Sequence, residues 1–341
     1  MRIAAGVFIF FVVTFQICNA QQYFTNWDLN SFFFYIEPST SAEGSGKIFL
    51  NNNNDAYSSL YNPALTSRAD NIRFSYSTSQ KFNDYEHFLF NNYGIDVPVK
   101  NIGTFSFIRR YYDYKYYIGD PNPEGSINYT SYNLNYSREI YNGLSSGIGF
   151  NYFKVDVPYI KENDREYYSF NLGASYIYNL PTSDYYSQYV LANVSILNIP
   201  ISYSKKITYT FYSLPQIDHF SIGYISKYGT LNNLDVFQTD IQVQYSDLLN
   251  SKYYNSISFG AEIKFLEAIS IRGGYYNLKG EYFTYDDFTY GIGFSYPFKA
   301  YLEIPLVIGF DYAKSKYPYY DSNTYAYFNS FALYLRYGIG Y

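Results

Sequence analysis

Read backwards from Tyr341, every second residue of the C-terminal stretch is oily: Tyr341, Ile339, Tyr337, Leu335, Leu333 and Phe331. The residues between them, Gly340, Gly338, Arg336, Tyr334, Ala332 and Ser330, are mostly small or polar. Side chains alternate across a strand, so this is a strand with one apolar and one wet face. Two architectures accept it. In a soluble sandwich the apolar face meets a second sheet; in an outer-membrane barrel it meets lipid, and the small, polar face lines the lumen.

The same two-residue period runs through the chain after Asp70. Alternating segments fall at 71–79, 87–98, 102–117, 127–141, 145–158, 166–180, 187–199, 217–226, 235–246, 254–265, 268–277, 287–297, 302–313 and 328–341. Within 254–265, for example, Ile257, Phe259, Ala261, Ile263 and Phe265 oppose Ser256, Ser258, Gly260, Glu262 and Lys264. The segments run to about 12 residues, long for a soluble strand but suited to a tilted membrane crossing. The connections sort by parity. Odd-to-even links carry the charged, Tyr-rich material, such as 161–166 and 314–323, while most even-to-odd links are tight, with 181–186 and 227–234 the longer ones. Short inner turns and long outer loops are the habit of outer-membrane barrels. The segment 201–212 is placed in an outer loop. The expected fold is an all-β transmembrane antiparallel barrel of about 14 strands.

Composition agrees. Tyr occurs 49 times and Phe 30 times, and aromatic residues (23 %) outnumber charged ones (16 %), as suits two membrane–water interfaces. Residues 1–20 read as a signal peptide: Arg2, an apolar run from Val7 to Phe15, and Cys18-Asn19-Ala20 as a small-x-small cleavage site. The single Cys leaves with it, so the mature chain has no thiol chemistry. Residues 21–70 do not alternate and are read as a hatch ahead of the barrel at 71–341. Net charge of −5 with no basic cluster argues against nucleic acid. The expected setting is the outer membrane of a Gram-negative bacterium, with its lipids as surroundings. Tyr337, Ile339 and Tyr341 form the insertion signal read by the barrel-assembly machinery.

The stretch 36–64 resembles the N-terminal signature of the PorV/PorQ-like branch of the FadL-type outer-membrane proteins. Gly44-Ser45-Gly46 stands at the Gly-rich segment, Asn54-Asp55 at an acidic site, and Tyr61-Asn62-Pro63-Ala64 at an aromatic-Asn-Pro-Ala turn. Further likenesses follow in order at 194–200, 214–226, 258–276 and 309–313. The resemblance implies a barrel with the N-terminal segment inside as a hatch. It implies a role of the PorV/PorQ kind, as an interaction or shuttle component in type IX-like secretion or surface attachment of cargo proteins. The alternative it implies is a FadL-like transporter of long-chain fatty acids or other hydrophobic small molecules.

Individual residues add detail. Asp240, Gln242, Gln244, Glu262, Lys264, Asp311 and Arg336 should point into the lumen, because charge facing lipid costs about 2–4 kcal/mol at mid-bilayer. Their first role is mutual pairing and contact with the hatch; a polar passage comes second. Pro305, inside the segment 302–313, marks a bulge, or a lateral gap of the FadL kind. The aromatic runs Tyr111 to Tyr117, Tyr282 to Tyr285 and Tyr317 to Tyr320 read as a membrane girdle and as a recognition surface. His87 and His219 sit on different strands, too few for a metal site. His219 beside Asp218 suggests a hydrolase triad only if some Ser stands out, and none does. The expectation is a non-enzymatic chain without cofactor or metal.

Overall fold

In the computed structural model fourteen antiparallel strands close into a single barrel, each paired with its sequence neighbours and β1 with β14. The structure describes residues 37–51, 55–82, 86–117, 124–156, 165–183, 185–203, 216–231, 234–249, 253–280, 284–298, 304–319 and 324–338. The first seven strands are β1 (Asn71–Phe82), β2 (Glu86–Val99), β3 (Gly103–Tyr117), β4 (Glu124–Tyr141), β5 (Leu144–Asp156), β6 (Arg165–Asn179) and β7 (Tyr186–Tyr203). They continue as β8 (Gln216–Leu231), β9 (Leu234–Leu249), β10 (Tyr253–Phe265), β11 (Ile269–Gly280), β12 (Thr284–Pro297), β13 (Leu306–Tyr319) and β14 (Thr324–Gly338). Closure leaves no sheet edge: β1 and β14 pair from Asn71 opposite Gly338 to Gln80 opposite Asn329. The signal-peptide reading of residues 1–20, and the hatch reading of 21–36, lie outside the described residues.

The alternation fixes which way each face turns. On β10, Ile257, Phe259, Ile263 and Phe265 are 40–49 % exposed on the barrel exterior, while Ser256, Ser258, Glu262 and Lys264 are at most 4 % exposed inside. On β14, Phe331, Leu333, Leu335 and Tyr337 face out, and Ser330, Ala332 and Tyr334 are buried. An apolar exterior around a polar interior inverts the soluble rule and is the arrangement of a barrel in lipid.

Several boundaries differ from the sequence reading. β7 runs on to Tyr203, so 201–203 is strand rather than loop, and 204–212 lies outside the described residues. β8 reaches Leu231 and β9 begins at Leu234, these two residues paired, so only two residues join the strands where the longer link 227–234 is expected. β13 begins only at Leu306, which leaves Pro305 before the strand with its carbonyl accepting from Gly338 N–H at 2.7 Å. Pro305 therefore marks neither a bulge nor a gap in a strand: without an N–H, it stands where no ladder bond is required of it. An irregular seam lies between β6 and β7, where the register shifts twice; β4–β5 and β10–β11 each shift once. Strand pairing also continues into Tyr-rich flanks assigned to outer loops, as in Pro318 opposite Tyr325.

Residues 37–51 and 55–70 sit inside the wall. Helix α1 (Thr40–Gly44) is capped by Ser39, whose hydroxyl accepts from Ala42 N–H at 3.2 Å. Two 3-10 turns follow, Ser58–Leu60 and Pro63–Arg68, the second capped by Asn62 with Pro63 at its first position. Ala42, Phe49, Tyr57, Tyr61 and Leu65 pack with Ile108 of β3 into a small core between hatch and wall. Glycines let the two backbones touch. Gly46 has φ +70°, and a side chain there would lie 2.8 Å from Tyr275 O on β11. On the opposite side Gly147 and Gly173, cross-strand partners on β5 and β6, accept the Asn62-Pro63 turn.

A vestibule over the hatch

The hatch carries the residues singled out by the family resemblance. Asp55 is 1 % exposed and accepts from Tyr57 N–H (3.1 Å), Ser41 Oγ (3.3 Å) and, by a short bond, Ser39 Oγ. It thereby ties the end of the Asn run to the cap of α1. Tyr61 packs on Phe49 with ring centroids 5.0 Å apart. Asn62 Nδ2 donates to Ala174 O (3.0 Å) and Val194 O (3.2 Å), reaching β6 and β7 at once, while Pro63 and Ala64 begin the second 3-10 turn.

Two hatch acids are held near neutrality. Burial raises the Asp55 carboxyl from 3.8 to about 7, against the opposing bonds from Ser39 and Tyr57 N–H. Burial, then the Glu43 carboxylate, raises Glu37 from 4.5 to about 7. Both acids hold protons more tightly folded than unfolded, so their contribution to stability falls as pH rises from about 4 to 7 and stays lowered above that, while buried Lys47, held below its ordinary value, contributes in the opposite sense. The hatch is therefore expected to be better protected at pH 5 than at pH 8, by an amount on the order of a few kcal/mol. Hydrogen exchange of residues 37–70, corrected for intrinsic rates, measures it. Asp55→Asn should remove much of the difference, and equal or greater protection at pH 8 would contradict the expectation.

The predicted lumenal residues divide into three groups. Glu262, Lys264 and Asp311 belong to one ion network centred on Arg272, which the sequence reading had left out. Arg272 Nε meets Glu262 Oε2 and its Nη1 meets Asp311 Oδ1, both at 2.5 Å, while Lys264 Nζ lies 3.2 Å from Glu262 Oε1. Asp240, 1 % exposed, is the cross-strand neighbour of Glu262. Gln242 and Gln244 lie on the β9 wall. Gln242 Oε1 accepts from Asn51 Nδ2 (2.7 Å), and Asn51 Oδ1 accepts from Asn193 Nδ2 (3.3 Å), so one hatch side chain bridges β7 and β9. Arg336 stands apart near the inner end, directly opposite Arg73. Tyr337 faces outward and is 47 % exposed, whereas Ile339 and Tyr341 lie outside the described residues.

Above the hatch the lumen turns apolar, which the sequence reading did not foresee. Phe328, Phe90, Tyr112, Tyr129, Phe153 and Tyr167, from β14 and β2 to β6, form a chain of inward rings with successive centroids 4.1–6.1 Å apart. Each is at most 5 % exposed. Across the lumen Leu248, Tyr276, Leu278 and Tyr285 form a second apolar cluster. Tyr112 and Tyr285, expected in the girdle and the recognition surface, are buried in these two interior clusters instead. The available signal was parity, since Tyr129 lies an even number of residues from the inward Asn133 and Asn135.

Between collar and hatch lies a cavity of about 100 Å³, bounded below by Glu37 and Tyr61 and at the side by Phe153, Leu197 and His219. Its polar rim is an arc of amides. Asn151 Nδ2 donates to Asn171 Oδ1 (2.8 Å) and Asn198 Oδ1 (3.1 Å), and Asn198 N–H donates to Asn171 Oδ1 (2.8 Å). Asn198 takes a positive φ of 59° at the β6–β7 irregularity, a conformation asparagine tolerates. Bulges of this kind re-aim side chains. His219 Nδ1 lies 2.7 Å from Ser246 Oγ, but Asp218 is its neighbour on β8 and leaves the opposite face of the wall, so the three form no triad.

No family model matches the sequence, and no curated relative matches it. Solved structures of similar fold exist. The CymD monoaromatic hydrocarbon channel shares 9 % identity over 89 % of this chain and 97 % of its own, with a TM-score of 0.50. A deltaS2 mutant of the monoaromatic hydrocarbon channel TodX shares 10 % over 91 % and 99 %, also at 0.50; TodX is the toluene transporter of Pseudomonas putida. At such identities the likeness is one of fold. With its closed wall, oily exterior and occupied lumen, the chain is a 14-strand β-barrel of the Gram-negative outer membrane.

Proposed function

We propose that this barrel is a channel for small hydrophobic molecules, of the FadL-like kind. One observation carries the reading: six aromatic rings turned inward at the level where a water-filled pore presents polar side chains. An apolar band over a sealed hatch suits a solute that leaves water before it crosses. The fold it shares with the monoaromatic hydrocarbon channels CymD and TodX supports the same reading. The secretion-shuttle reading rests on Asp55 and the Tyr61-Asn62-Pro63-Ala64 turn. Packing against β5, β6 and β7 accounts for that turn without a cargo protein, so this reading stands second.

Expression in a host poor in outer-membrane channels tests the proposal. Toluene uptake by those cells is expected to be several-fold faster than by cells with an empty vector. Unchanged uptake, with a secreted protein co-purifying in stoichiometric amount from native membranes, would overturn it in favour of the shuttle.

A further inference from the structure

We infer that the vestibule is a binding site for an uncharged aromatic compound bearing a hydroxyl group, and that His219 and Gln244 recognise the hydroxyl. This deepens the channel reading and rests on it.

The hydrogen-bond directions around His219 settle what the cavity offers. Gln244 Nε2 can only donate, and it donates to Ser246 Oγ at 3.2 Å. Gln244 Nε2 also lies 3.3 Å from His219 Nδ1, so that ring nitrogen accepts, and Ser246 Oγ at 2.7 Å turns its own O–H onto it. With Nδ1 accepting, the neutral ring carries its proton on Nε2. No partner for Nε2 exists among the described residues, and His219 and Gln244 both line the cavity. Gln244, its amide nitrogen engaged, presents Oε1. His219 Nε2 and Gln244 Oε1 thus leave the cavity one N–H donor and one carbonyl acceptor, the pair that one hydroxyl satisfies by accepting from the first and donating to the second.

The rest of the cavity sets the size and charge of the ligand. Leu60, Tyr61, Phe153, Leu197 and Ile217 supply the apolar side. At pH 8, above the raised Glu37 value, the ionic groups at the floor balance: Glu37 and Glu43 against Lys47 and Arg110, with Lys47 Nζ 3.7 Å from Glu43 Oε1. A charged ligand gains no net counter-charge there and bears the full penalty of desolvation. A bare hydrocarbon leaves the His219 donor and Gln244 acceptor unmet, and sites built to hydrogen-bond a hydroxyl discriminate strongly against analogues lacking it.

Three probes differing at one ring position decide it: toluene, p-cresol and p-toluate, titrated calorimetrically at pH 8 into the folded barrel in detergent. One hydrogen bond is worth about 2- to 12-fold in affinity. The expected result is p-cresol tightest of the three, although toluene is the more hydrophobic. In His219→Asn, whose amide oxygen can keep the Ser246 bond while the Nε2 donor is lost, the preference of p-cresol over toluene should shrink by that factor. Toluene binding should hold. In Asn171→Asp, which keeps the acceptor used by Asn151 and Asn198 N–H, a preference set by His219 and Gln244 should persist. Toluene or p-toluate tightest in the unaltered barrel overturns the inference and leaves the channel reading intact. A parallel loss of toluene and p-cresol in His219→Asn also overturns it. Failure of all three to bind, together with unchanged toluene uptake by cells, overturns the channel reading itself.

Discussion

Arg272→Met is expected to destabilise the barrel by about 3–5 kcal/mol, the usual penalty for removing one partner of a buried ion network. Arg272 is 4 % exposed and pairs with two carboxylates, Glu262 and Asp311, each at 2.5 Å. Glu262 retains Lys264 at 3.2 Å when the guanidinium goes. Asp311, 1 % exposed, loses its ion pair and is left as a buried charge. The wall is shaped around this pair: Gly293 has no side chain where a Cβ would lie 3.1 Å from Arg272 Nη1. Urea unfolding in detergent micelles, or the heating needed to convert the folded band on a gel, measures the loss. Arg272→Met with Asp311→Asn should recover most of it, because removing both charges avoids the orphan and keeps the Glu262–Lys264 pair. A single variant as stable as the parent, or a double variant no better than the single, would refute this account.

Why the barrel was legible and its details less so follows from what alternation encodes. Period-two patterning must hold wherever one face meets lipid, so it marked a stretch within each of the fourteen strands. It cannot mark where a strand stops, because above the membrane both faces meet polar surroundings. The reading therefore ended β13 at 313, whereas pairing runs on to Tyr319. Pro305 misled for a related reason: proline in a segment suggests a bulge, yet here it simply precedes the first residue of the ladder. The irregularity beside the cavity, at Asn198, has no signature of its own beyond a residue that accepts positive φ.

The lumen was legible in its charges and not in its aromatics. Glu262, Lys264 and Asp311 are expected inside because charge has nowhere else to go, and they are at most 4 % exposed. Arg272 follows the same rule, on the wet parity of 268–277, and was available to a stricter reading of that segment. Tyr and Phe are ambiguous, since they serve equally on the lipid face, at the interface and in an apolar lumen. Only the register of neighbouring strands brings Phe90, Tyr112 and Tyr129 side by side, and register between distant segments is not written in either alone. The amide arc is hidden in the same way, with Asn151, Asn171 and Asn198 contributed by three different strands.

Gly147→Leu is expected to unseat the hatch while leaving the wall intact, and so to make the barrel leak more. An added Cβ at Gly147 would lie 2.7 Å from Ala64 N, and its partner Gly173 already has Pro63 Cδ 2.9 Å from the place a Cβ would take. The obstacle is backbone and a proline ring, neither of which can swing aside, so the Asn62-Pro63 turn must withdraw. With it go the Asn62 bonds to Ala174 O and Val194 O and the Asn135 Nδ2 bond to Pro63 O at 3.2 Å. Overpacking typically costs about 1–3 kcal/mol. The closed ladder of fourteen strands does not depend on the turn, so the damage falls on the hatch. Single-channel conductance in planar bilayers should rise, and cells should become sensitive to large hydrophilic antibiotics that the outer membrane excludes. Gly273→Leu is the matched control, because a Cβ at Gly273 meets nothing nearer than Thr289 O at 4.0 Å. If Gly147→Leu conducts no more than Gly273→Leu and its hatch resists protease equally, the hatch is not seated through this glycine pair, and whatever seals the lumen is held elsewhere.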